Sequence, residues 1–453
     1  MAPEENKKKR VVSGMRPTGR LHIGHYFGAL ENWVRLQSDP EFECFYFIAD
    51  WHALTSDYAD TSAVAQNTIE IMTDYLAAGL DPAKSVIFQQ SLVPEHAELH
   101  LLLSMVTPLG WLERVPTYKE ALENVKDKDL HNYGFLGYPV LQCADITIYS
   151  SPEIAGLYVP VGEDQVSHVE TSREIVRRFN GPPCLYGLEV DTWLLDQFGK
   201  MILQDGAGRW LEVSQTRLKA LSRDRGQGRV ISELESLPPD ALAATREETL
   251  LEIRREIAET GFDNLREKLG PFANDIRIKS ILVEPEAMLT KTPRIPGTDG
   301  RKMSKSYGNA IMLSESNESI WEKVRPMKTD PARIRRTDKG NPDVCPVYDW
   351  HKLFSTKETL DWAAHGCRTA EIGCIDCKKK MVEHLVTWIA PIRERRLEYE
   401  KHTARVLEMI DAGSKRARVE AQNTMQRVRE AVFHWDKKRA EIKTVLDVHE
   451  SHG

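Results

Sequence analysis

Two histidines flank a glycine at the point where a predicted strand gives way to a helix. The stretch "PTGRLHIGHY" places His22 and His25 around Gly24, shortly after a β-branched strand that ends near Ser13. The N–H groups at a helix start favour an anion, imidazoles can donate to phosphate oxygens, and glycine lets a flat base or sugar approach the backbone. A nucleotide fits this pattern, although two histidines at this spacing also fit a surface or metal-binding pair.

A second stretch carries cations in a loop of small residues. "GRKMSKSYGN" contains Lys302 and Lys305 together with Ser304 and Ser306. Ammonium groups on such a loop are suited to phosphate oxygens, whereas an isolated pair of lysines is more typical of an exposed basic turn.

The chain has seven cysteines, and four of them form a third group in its C-terminal part. Their spacing is C-x21-C-x6-C-x2-C, at Cys345, Cys367, Cys374 and Cys377. Four thiolates can hold a tetrahedral zinc ion or a [4Fe–4S] cluster, and spacing alone does not choose between them. The remaining cysteines are isolated in the sequence and are expected to be small buried residues.

The elements that position these residues alternate between strands and helices. Apolar runs followed by polar residues predict further strands within Cys44–Thr55, Ala83–Ser91 and Leu157–Gln165, with helical stretches between them. This alternation predicts an α/β fold with a Rossmann-like, doubly wound parallel sheet, whose ligands bind at the carboxyl ends of the strands.

Changes in pattern divide the chain into parts. Residues 1–9 are predicted to be a disordered tail, residues 10–182 and 281–313 a Rossmann-like domain, residues 183–280 an inserted helical module, and residues 314–453 an all-α domain that contains the four cysteines. The last 123 positions, 331–453, carry 24 Lys and Arg against 19 Asp and Glu in a chain of net charge −7, which allows a nucleic-acid contact at that end.

The composition excludes a membrane protein. No apolar run approaches the about 20 residues needed to cross a bilayer, and "MAPEENKKKR" has no apolar segment behind it. We therefore expect a cytoplasmic protein, in which clustered cysteines are more suited to metal than to disulfides.

The paired motifs "HIGH" and "KMSKS" resemble those of the class I aminoacyl-tRNA synthetases. Further stretches resemble the bacterial tryptophanyl-tRNA synthetases, notably "GFLGYPVLQCADITIY", "VPVGEDQVSHVETSREIVRRFN" and "KTPRIPGTDGRKMSKS". The resemblance covers roughly residues 10–182 and 281–450. It implies a homodimeric ligase that activates L-tryptophan with ATP and Mg²⁺ and transfers the tryptophanyl group to tRNA(Trp).

The resemblance also implies roles for individual residues. His22 and His25 would contact the ATP phosphates, and Lys302 and Lys305 the leaving pyrophosphate. Asp145 would accept a hydrogen bond from the indole N–H. The implied ATP site comprises Met15, Pro17, Thr18, Gly24, His25, Gly162, Asp164, Lys302, Met303, Ser304 and Lys305. The implied tryptophan site comprises Gly14, Tyr138, Gln142, Asp145, Ile146, Val159, Val161 and Gln165.

Some members of this family bind [4Fe–4S] through a closely similar cysteine set, so the resemblance favours that cluster, with structural Zn²⁺ as the alternative. The neighbouring Lys378, Lys379 and Lys380 are expected to meet the anticodon arm. The chain departs from many bacterial members at Gln142, where they have Met, and in the segment 183–280, which they lack.

Overall fold

A parallel sheet lies at the centre of the structure. The computed structural model describes residues 7–116, 118–119, 130–205, 239–290 and 295–450. Its strands are β1 Lys9–Met15, β2 Phe42–Ile48, β3 Val86–Gln89, β4 Gly156–Val161, β5 Leu188–Val190, β6 Ile276–Ile278 and β7 Pro285–Leu289. The main sheet has the order β3-β2-β1-β4-β7 with every pair parallel, which confirms the predicted doubly wound sheet.

The strand order reverses between β1 and β4. The chain passes outward from β1 to β2 and β3, then returns to place β4 on the other side of β1. In open parallel sheets a crevice forms at the carboxyl ends of the two strands beside such a reversal. The crevice here lies beyond Met15 of β1 and Val161 of β4.

Helices fill most of the connections between strands. In chain order they are α1 Ile23–His25, α2 Glu31–Leu36, α3 Asp50–Asp57, α4 Val64–Ala78, α5 Glu95–Val106, α6 Leu109–Leu112, α7 Tyr133–Leu136, α8 Tyr138–Thr147, α9 Val166–Asn180, α10 Thr192–Asp205, α11 Pro239–Thr260, α12 Phe262–Leu269, α13 Asn317–Val324, α14 Pro346–Phe354, α15 Lys357–Thr369, α16 Cys374–Lys401, α17 Thr403–Phe433 and α18 Trp435–Glu450. A π-helical turn, Tyr26–Leu30, joins α1 to α2. None of the helices within the described ranges combines the length and apolar content needed to cross a membrane.

Each face of the sheet carries its own hydrophobic core. Val11 and Val12 are consecutive in β1 and fully buried, and they belong to different clusters because successive strand residues point to opposite faces. The cluster containing Val11 includes Met381 and Leu385 of α16, and the cluster containing Val12 includes Ala421 of α17. Residues 314–453 therefore help to complete both cores instead of packing only among themselves.

Helix α17 also covers the outer strand β3. A Cβ built on Gly413 would lie 1.8 Å from the carbonyl oxygen of Ile87, so only glycine allows this approach. The neighbouring Ser414 hydroxyl accepts a hydrogen bond from the backbone N–H of Gln89 at 3.2 Å. The helix thus shields a sheet edge that would otherwise present unpaired backbone groups.

The insert 183–280 has a hydrophobic cluster of its own. Its buried members are Leu185, Leu194, Phe198, Ile253, Ile257, Leu265, Leu269, Phe272 and Ile276. The segment was predicted to be a helical module, and within it the structure also has two short strands, β5 and β6, which pair antiparallel. Three-residue strands are too short to give a recognisable alternation in the sequence. Residues 206–238 of the predicted module lie outside the described residues.

The N-terminal boundary also differs from the prediction. Lys9 was assigned to a disordered tail, but β1 begins at Lys9, which pairs with Phe42 of β2. Residues 1–6 of the predicted tail lie outside the described residues.

Candidate active site

A cavity of about 690 Å³ occupies the crevice at the carboxyl ends of β1 and β4. All the residues predicted for the tryptophan side line it, namely Gly14, Tyr138, Gln142, Asp145, Ile146, Val159, Val161 and Gln165. Met15 and Gly162, predicted for the ATP side, line it as well. Asp164 belongs to the short helix Glu163–Gln165, but its side chain lies outside what the structure describes.

The end of β1 approaches its neighbour closely at Gly14. A Cβ built on Gly14 would lie 2.6 Å from the ring of Phe47 in β2, so a larger residue would displace that ring. Phe47 also lines the cavity, together with Phe135, Ile146 and Val159. The glycine and these apolar side chains together shape a slot suited to a flat, apolar group.

Asp145 is the buried charge of this slot. Asp145 is 0 % exposed, and its carboxylate accepts hydrogen bonds from several donors. Oδ1 accepts from His96 Nδ1 at 2.7 Å and Oδ2 from His52 Nε2 at 2.7 Å, while Gln90 Nε2 contacts both oxygens at 2.7 and 2.8 Å. Burial alone raises the pKa of this carboxyl, but the bonds from the two histidines outweigh it and lower the pKa to about 2.

His52, Gln90 and His96 were not predicted as site residues. His52 follows β2 and Gln90 follows β3, so both obey the rule that polar residues at the ends of parallel strands gather at one edge. His96, in α5, sits behind the carboxylate, and its Nε2 lies 2.8 Å from the Tyr149 hydroxyl. Of the three partners only His52 lines the cavity within the described residues.

The side chains of Tyr138 and His168 contact each other in the wall of the cavity. The Tyr138 hydroxyl lies 3.3 Å from His168 Nδ1, and both residues line the cavity with Gln165. His168 is 3 % exposed and was also not predicted. The cavity therefore has a second group of polar side chains, Tyr138, Gln165 and His168, besides Asp145 and its partners.

Next to the cavity, the two motif segments meet. Residues 21–23 run antiparallel to residues 311–313: Ile23 N–H donates to the Ile311 carbonyl at 3.0 Å and Leu313 N–H to the Leu21 carbonyl at 2.9 Å. A Cβ built on Gly24 would lie 3.5 Å from Met303 Sδ. The stretches around Gly24 and Met303, far apart in sequence, thus lie together, as the sequence interpretation required.

Lys305 reaches across this junction. Its Nζ donates to the carbonyl oxygen of Thr18 at 2.7 Å, and the side chain is near enough to His22 and His25 to act on both electrostatically. Burial lowers the pKa of Lys305, and Asp74 opposes that shift. Lys302 is exposed. The loop between the lysines is held by Asn309, whose side chain accepts from Ser304 N–H at 2.7 Å and donates to the Lys302 carbonyl.

His22 and His25 stack on each other, with ring centroids 3.6 Å apart. Burial lowers the pKa of His22 to about 4, and Lys305 adds to that shift. Burial, with the His22 and Lys305 charges, lowers the pKa of His25 to about 3. His25 Nδ1 accepts from the His22 backbone N–H at 3.2 Å, so the proton of the neutral His25 ring is on Nε2. The buried His22 Nδ1 has no hydrogen-bond partner among the described residues.

The four clustered cysteines lie near one another in the C-terminal helices. Cys345 precedes α14, Cys367 lies in α15, and Cys374 and Cys377 occupy the first turn of α16. Burial raises the pKa of Cys377 to about 12, and the other three cysteines of the set add to the rise. Among the described residues, however, no three Cys, His, Asp or Glu side chains are already arranged to hold a metal ion.

The prediction that Lys378 meets RNA is wrong. Lys378 is 5 % exposed, and its Nζ donates to the carbonyl oxygens of Met327 and Arg325, the latter at 2.8 Å. It donates to two carbonyls that follow Val324, the last residue of α13, and so holds the chain where that helix ends. Lys379 and Lys380 remain exposed.

Comparison with known proteins places this architecture in a family. The model of the class I tRNA synthetases (W and Y) matches residues 4–199 and 258–389. The tryptophan–tRNA ligase of Ralstonia nicotianae is 46 % identical over 426 residues, 94 % of this chain and 98 % of that protein. The tryptophan–tRNA ligase of Thermotoga maritima is 41 % identical over 93 % of this chain and 98 % of its own length. A crystal structure of the Campylobacter jejuni tryptophanyl-tRNA synthetase, complexed with ADP and tryptophan, superposes with a TM-score of 0.64 at 26 % identity, covering 93 % of this chain and 99 % of that one.

The fold and the junction of the two motif segments define a class I aminoacyl-tRNA synthetase. Within that class the chain belongs to the tryptophan–tRNA ligases. The gap between the two matched parts, residues 200–257, falls inside the predicted insert 183–280.

Proposed function

We propose that the cavity binds L-tryptophan with its indole N–H directed at Asp145, and that ATP binds beside it against the junction of the motif segments. The single observation that carries this assignment is a fully buried carboxylate in an apolar slot, hydrogen-bonded to two histidines and next to the place where Gly24 and Met303 meet. An indole is a donor without acceptor capacity, so it matches this carboxylate, whereas phenylalanine would offer it nothing.

The hydrogen bonds that Asp145 makes in this structure limit which acceptor position is open to the indole N–H. His96 and Gln90 hold the carboxylate from behind, and His52 is the donor on the cavity side. A carboxylate offers about four acceptor positions. The indole N–H would therefore share or take the position of His52, while Tyr138 and Gln165 hold the ammonium group and Val159 and Val161 lie against the ring.

In the first step the tryptophan carboxylate attacks the α-phosphorus of ATP, forming tryptophanyl-adenylate and releasing pyrophosphate. Negative charge moves between oxygens, so catalysis depends on positioning and on fixed donors. Neutral His22 and His25 would donate to the phosphates, and Lys305 and Lys302 would compensate the charge on the leaving pyrophosphate. Met15, Pro17, Thr18, Gly162, Asp164 and Ser304 complete the proposed ATP site.

Mg²⁺ would supply further charge compensation on the phosphate oxygens. Imidazoles and an ammonium group surround the junction, and a hard cation prefers oxygen ligands. The phosphates themselves, and not a set of protein ligands, are therefore the proposed site of the metal ion.

In the second step the terminal ribose hydroxyl of tRNA(Trp) takes the tryptophanyl group. We propose the catalytic domain as residues 10–182 and 281–313, with residues 314–453 contributing the tRNA-binding surface. Leu101 and Met105 of α5 and Leu109 of α6 are exposed at four-residue spacing, which supports an apolar contact between two copies of the chain. A homodimer working in the cytoplasm is the proposed assembly.

The cysteine set is proposed to hold a [4Fe–4S] cluster, with a structural Zn²⁺ ion as the alternative. Its four thiols are neighbours, and the Arg333 guanidinium lies beside Cys367, where it would compensate the negative charge of thiolates. Such a cluster would tie together α14, α15 and α16 without reaching the cavity. Iron, zinc and acid-labile sulfide analysis of anaerobically purified protein tests this: stoichiometric iron and sulfide support the cluster, zinc alone supports the alternative, and metal-free folded protein contradicts both.

Pyrophosphate exchange tests the function itself. The chain should exchange labelled pyrophosphate into ATP in the presence of tryptophan and should do so far less with tyrosine. Exchange with tyrosine instead would mean that the cavity binds tyrosine and not tryptophan. The absence of exchange with either amino acid would indicate a noncatalytic relative that keeps the fold. Charging of a tRNA(Trp) transcript then tests the second step.

A further inference from the structure

A buried ion pair connects the C-terminal helix α16 to α4, away from the cavity. Arg396 is 1 % exposed, and its guanidinium pairs with Asp74, which is 0 % exposed, and with Glu70. A buried pair of this kind is costly to desolvate and is often no more stable than apolar residues in its place. Its position, not its contribution to stability, points to a role.

The second oxygen of Asp74 holds the backbone of the first motif. Asp74 Oδ2 accepts from the Leu21 N–H at 2.6 Å, while Oδ1 accepts from Arg396 Nη1. Leu21 immediately precedes His22, and its carbonyl accepts from Leu313 N–H at 2.9 Å. The backbone of one residue, Leu21, is therefore fixed at both of its polar groups: its N–H by α4 through Asp74, and its carbonyl by the segment that follows the lysine loop.

Partly exposed charged side chains surround this buried ion pair. Arg20 Nε lies 2.9 Å from Glu70 Oε2, and Arg20 Nη2 lies 3.5 Å from Glu400 Oε1. Glu400 in turn lies 3.1 Å from Arg396 Nε, at an angle that makes no hydrogen bond. Arg20 and Leu21 are thus both held, and they lead directly into the stacked histidines.

We infer that Arg396 is a positioning residue for tryptophan activation: through Asp74 it sets where the Leu21–His25 segment stands relative to Lys305. This deepens the proposed function and rests on it. Without the guanidinium, Asp74 Oδ1 loses its hydrogen-bonded cation and the carboxylate is drawn toward its remaining neighbours, so its bond to the Leu21 N–H is lost or displaced. The amino-acid slot contacts neither residue, and tryptophan binding is left intact.

The test compares Arg396→Lys, Arg396→Met and Asp74→Asn with Arg395→Lys. Arg395 is the adjacent residue on the same helix and also reaches α4, donating to the Ala77 carbonyl at 2.7 Å, but it has no link to Leu21. Single-turnover adenylate formation, the KM for ATP and the equilibrium Kd for tryptophan are measured for each variant, together with thermal unfolding.

A displacement of reacting groups of the order of 1 Å costs about a hundredfold in rate. We expect adenylate formation to fall about ten- to hundredfold in Arg396→Met and Asp74→Asn, with a smaller loss in Arg396→Lys and a tryptophan Kd within about twofold of the parent. Arg395→Lys should behave as the parent. If Arg396→Met does not fold, Arg396→Lys and Asp74→Asn decide.

Unchanged rates in folded variants, or a tryptophan Kd that rises in parallel with the loss of rate, would overturn the inference. Failure of the parent chain to exchange pyrophosphate with tryptophan would instead overturn the proposed function. The two failures are therefore distinguishable.

Discussion

The ammonium group of Lys305 donates a hydrogen bond to the carbonyl oxygen of Thr18, 2.7 Å away and 287 residues earlier in the chain. This bond closes the second motif over the first. The lysine thus lies at the junction where the phosphates of ATP are proposed to bind.

Replacing Lys305 should slow activation more than replacing Lys302. Lys305 is half-buried against the stacked histidines, whereas Lys302 is exposed, so Lys305→Ala removes a charge from a less solvated position. We expect the single-turnover rate of adenylate formation to fall about hundredfold in Lys305→Ala and less in Lys302→Ala, with little change in tryptophan affinity. Lys268→Ala, in the insert, serves as the control. An activation rate in Lys305→Ala equal to that of the parent would refute the assignment.

Asp145→Asn should weaken tryptophan binding. The loss of a charge-assisted hydrogen bond costs about 2–3 kcal/mol, which corresponds to about 30- to 150-fold in Kd. Equilibrium dialysis measures the change, with Asp263→Asn on the exposed face of α12 as the control.

The N-methylated analogue 1-methyltryptophan sharpens this test because it lacks the indole N–H. The parent should discriminate strongly against it, and Asp145→Asn should discriminate less. Equal discrimination by both proteins would mean that the indole N–H does not meet this carboxylate.

The two histidines should remain neutral throughout the physiological range. Their pKa values are lowered to about 4 and about 3 from 6.5, so in the unfolded chain they bind protons at a pH where the folded protein does not. Their contribution to stability is therefore present above pH 6.5 and declines as the pH falls toward about 4. Titration of ring-labelled histidines by NMR should show no protonation of His22 or His25 between about pH 6 and pH 8. A titration midpoint near 6.5 for either ring would contradict the buried, stacked arrangement.

Cys374→Ser should remove the proposed metal centre without stopping activation. The cysteine set is in the C-terminal helices, and none of its members lines the cavity. We expect loss of bound iron and of brown colour and a lower unfolding temperature, with tryptophan-dependent pyrophosphate exchange within about twofold of the parent. Cys184→Ser, outside the set, is the matched control. Abolished exchange in a folded Cys374→Ser protein would count against this separation of roles.

Lys378→Met should destabilise the fold, whereas Lys379→Met should not. The first substitution leaves the carbonyls of Arg325 and Met327 without this donor, and the bond to Met327 is buried, so we expect a cost of about 2–3 kcal/mol. The second changes an exposed side chain, for which an effect within about 0.5 kcal/mol is usual. Urea unfolding of both variants measures the difference. Equal stabilities would mean that Lys378 is not a structural donor.

The sequence predicted the sheet well because its strands are continuous apolar runs that end in polar residues. The residues predicted for tryptophan, among them Gly14, Asp145 and Val161, all line one cavity. The sequence did not predict that His52, Gln90 and His96 converge on Asp145, because those partners come from separate elements and their meeting depends on strand order and helix docking.

The prediction for Lys378 was wrong because it overlooked the periodicity of the buried residues in α16. A run of three lysines suggested a solvated surface, but α16 buries Lys378, Met381, Val382 and Leu385 at helical spacing. Periodicity along the helix would have placed the first lysine on the inner face, where a long side chain can bury its stem and use its ammonium group on backbone carbonyls.

Helix α16 begins at Cys374 and Cys377 and carries Arg396 near its other end. At about 1.5 Å per residue, the distance along its axis from Cys377 to Arg396 is roughly 30 Å. One continuous helix, with Pro391 inside it, therefore connects the proposed metal centre to the guanidinium that holds Asp74 and, through it, the Leu21 N–H. A shift of the Arg396 turn of this helix would reach the ATP side as a movement of the backbone in front of His22.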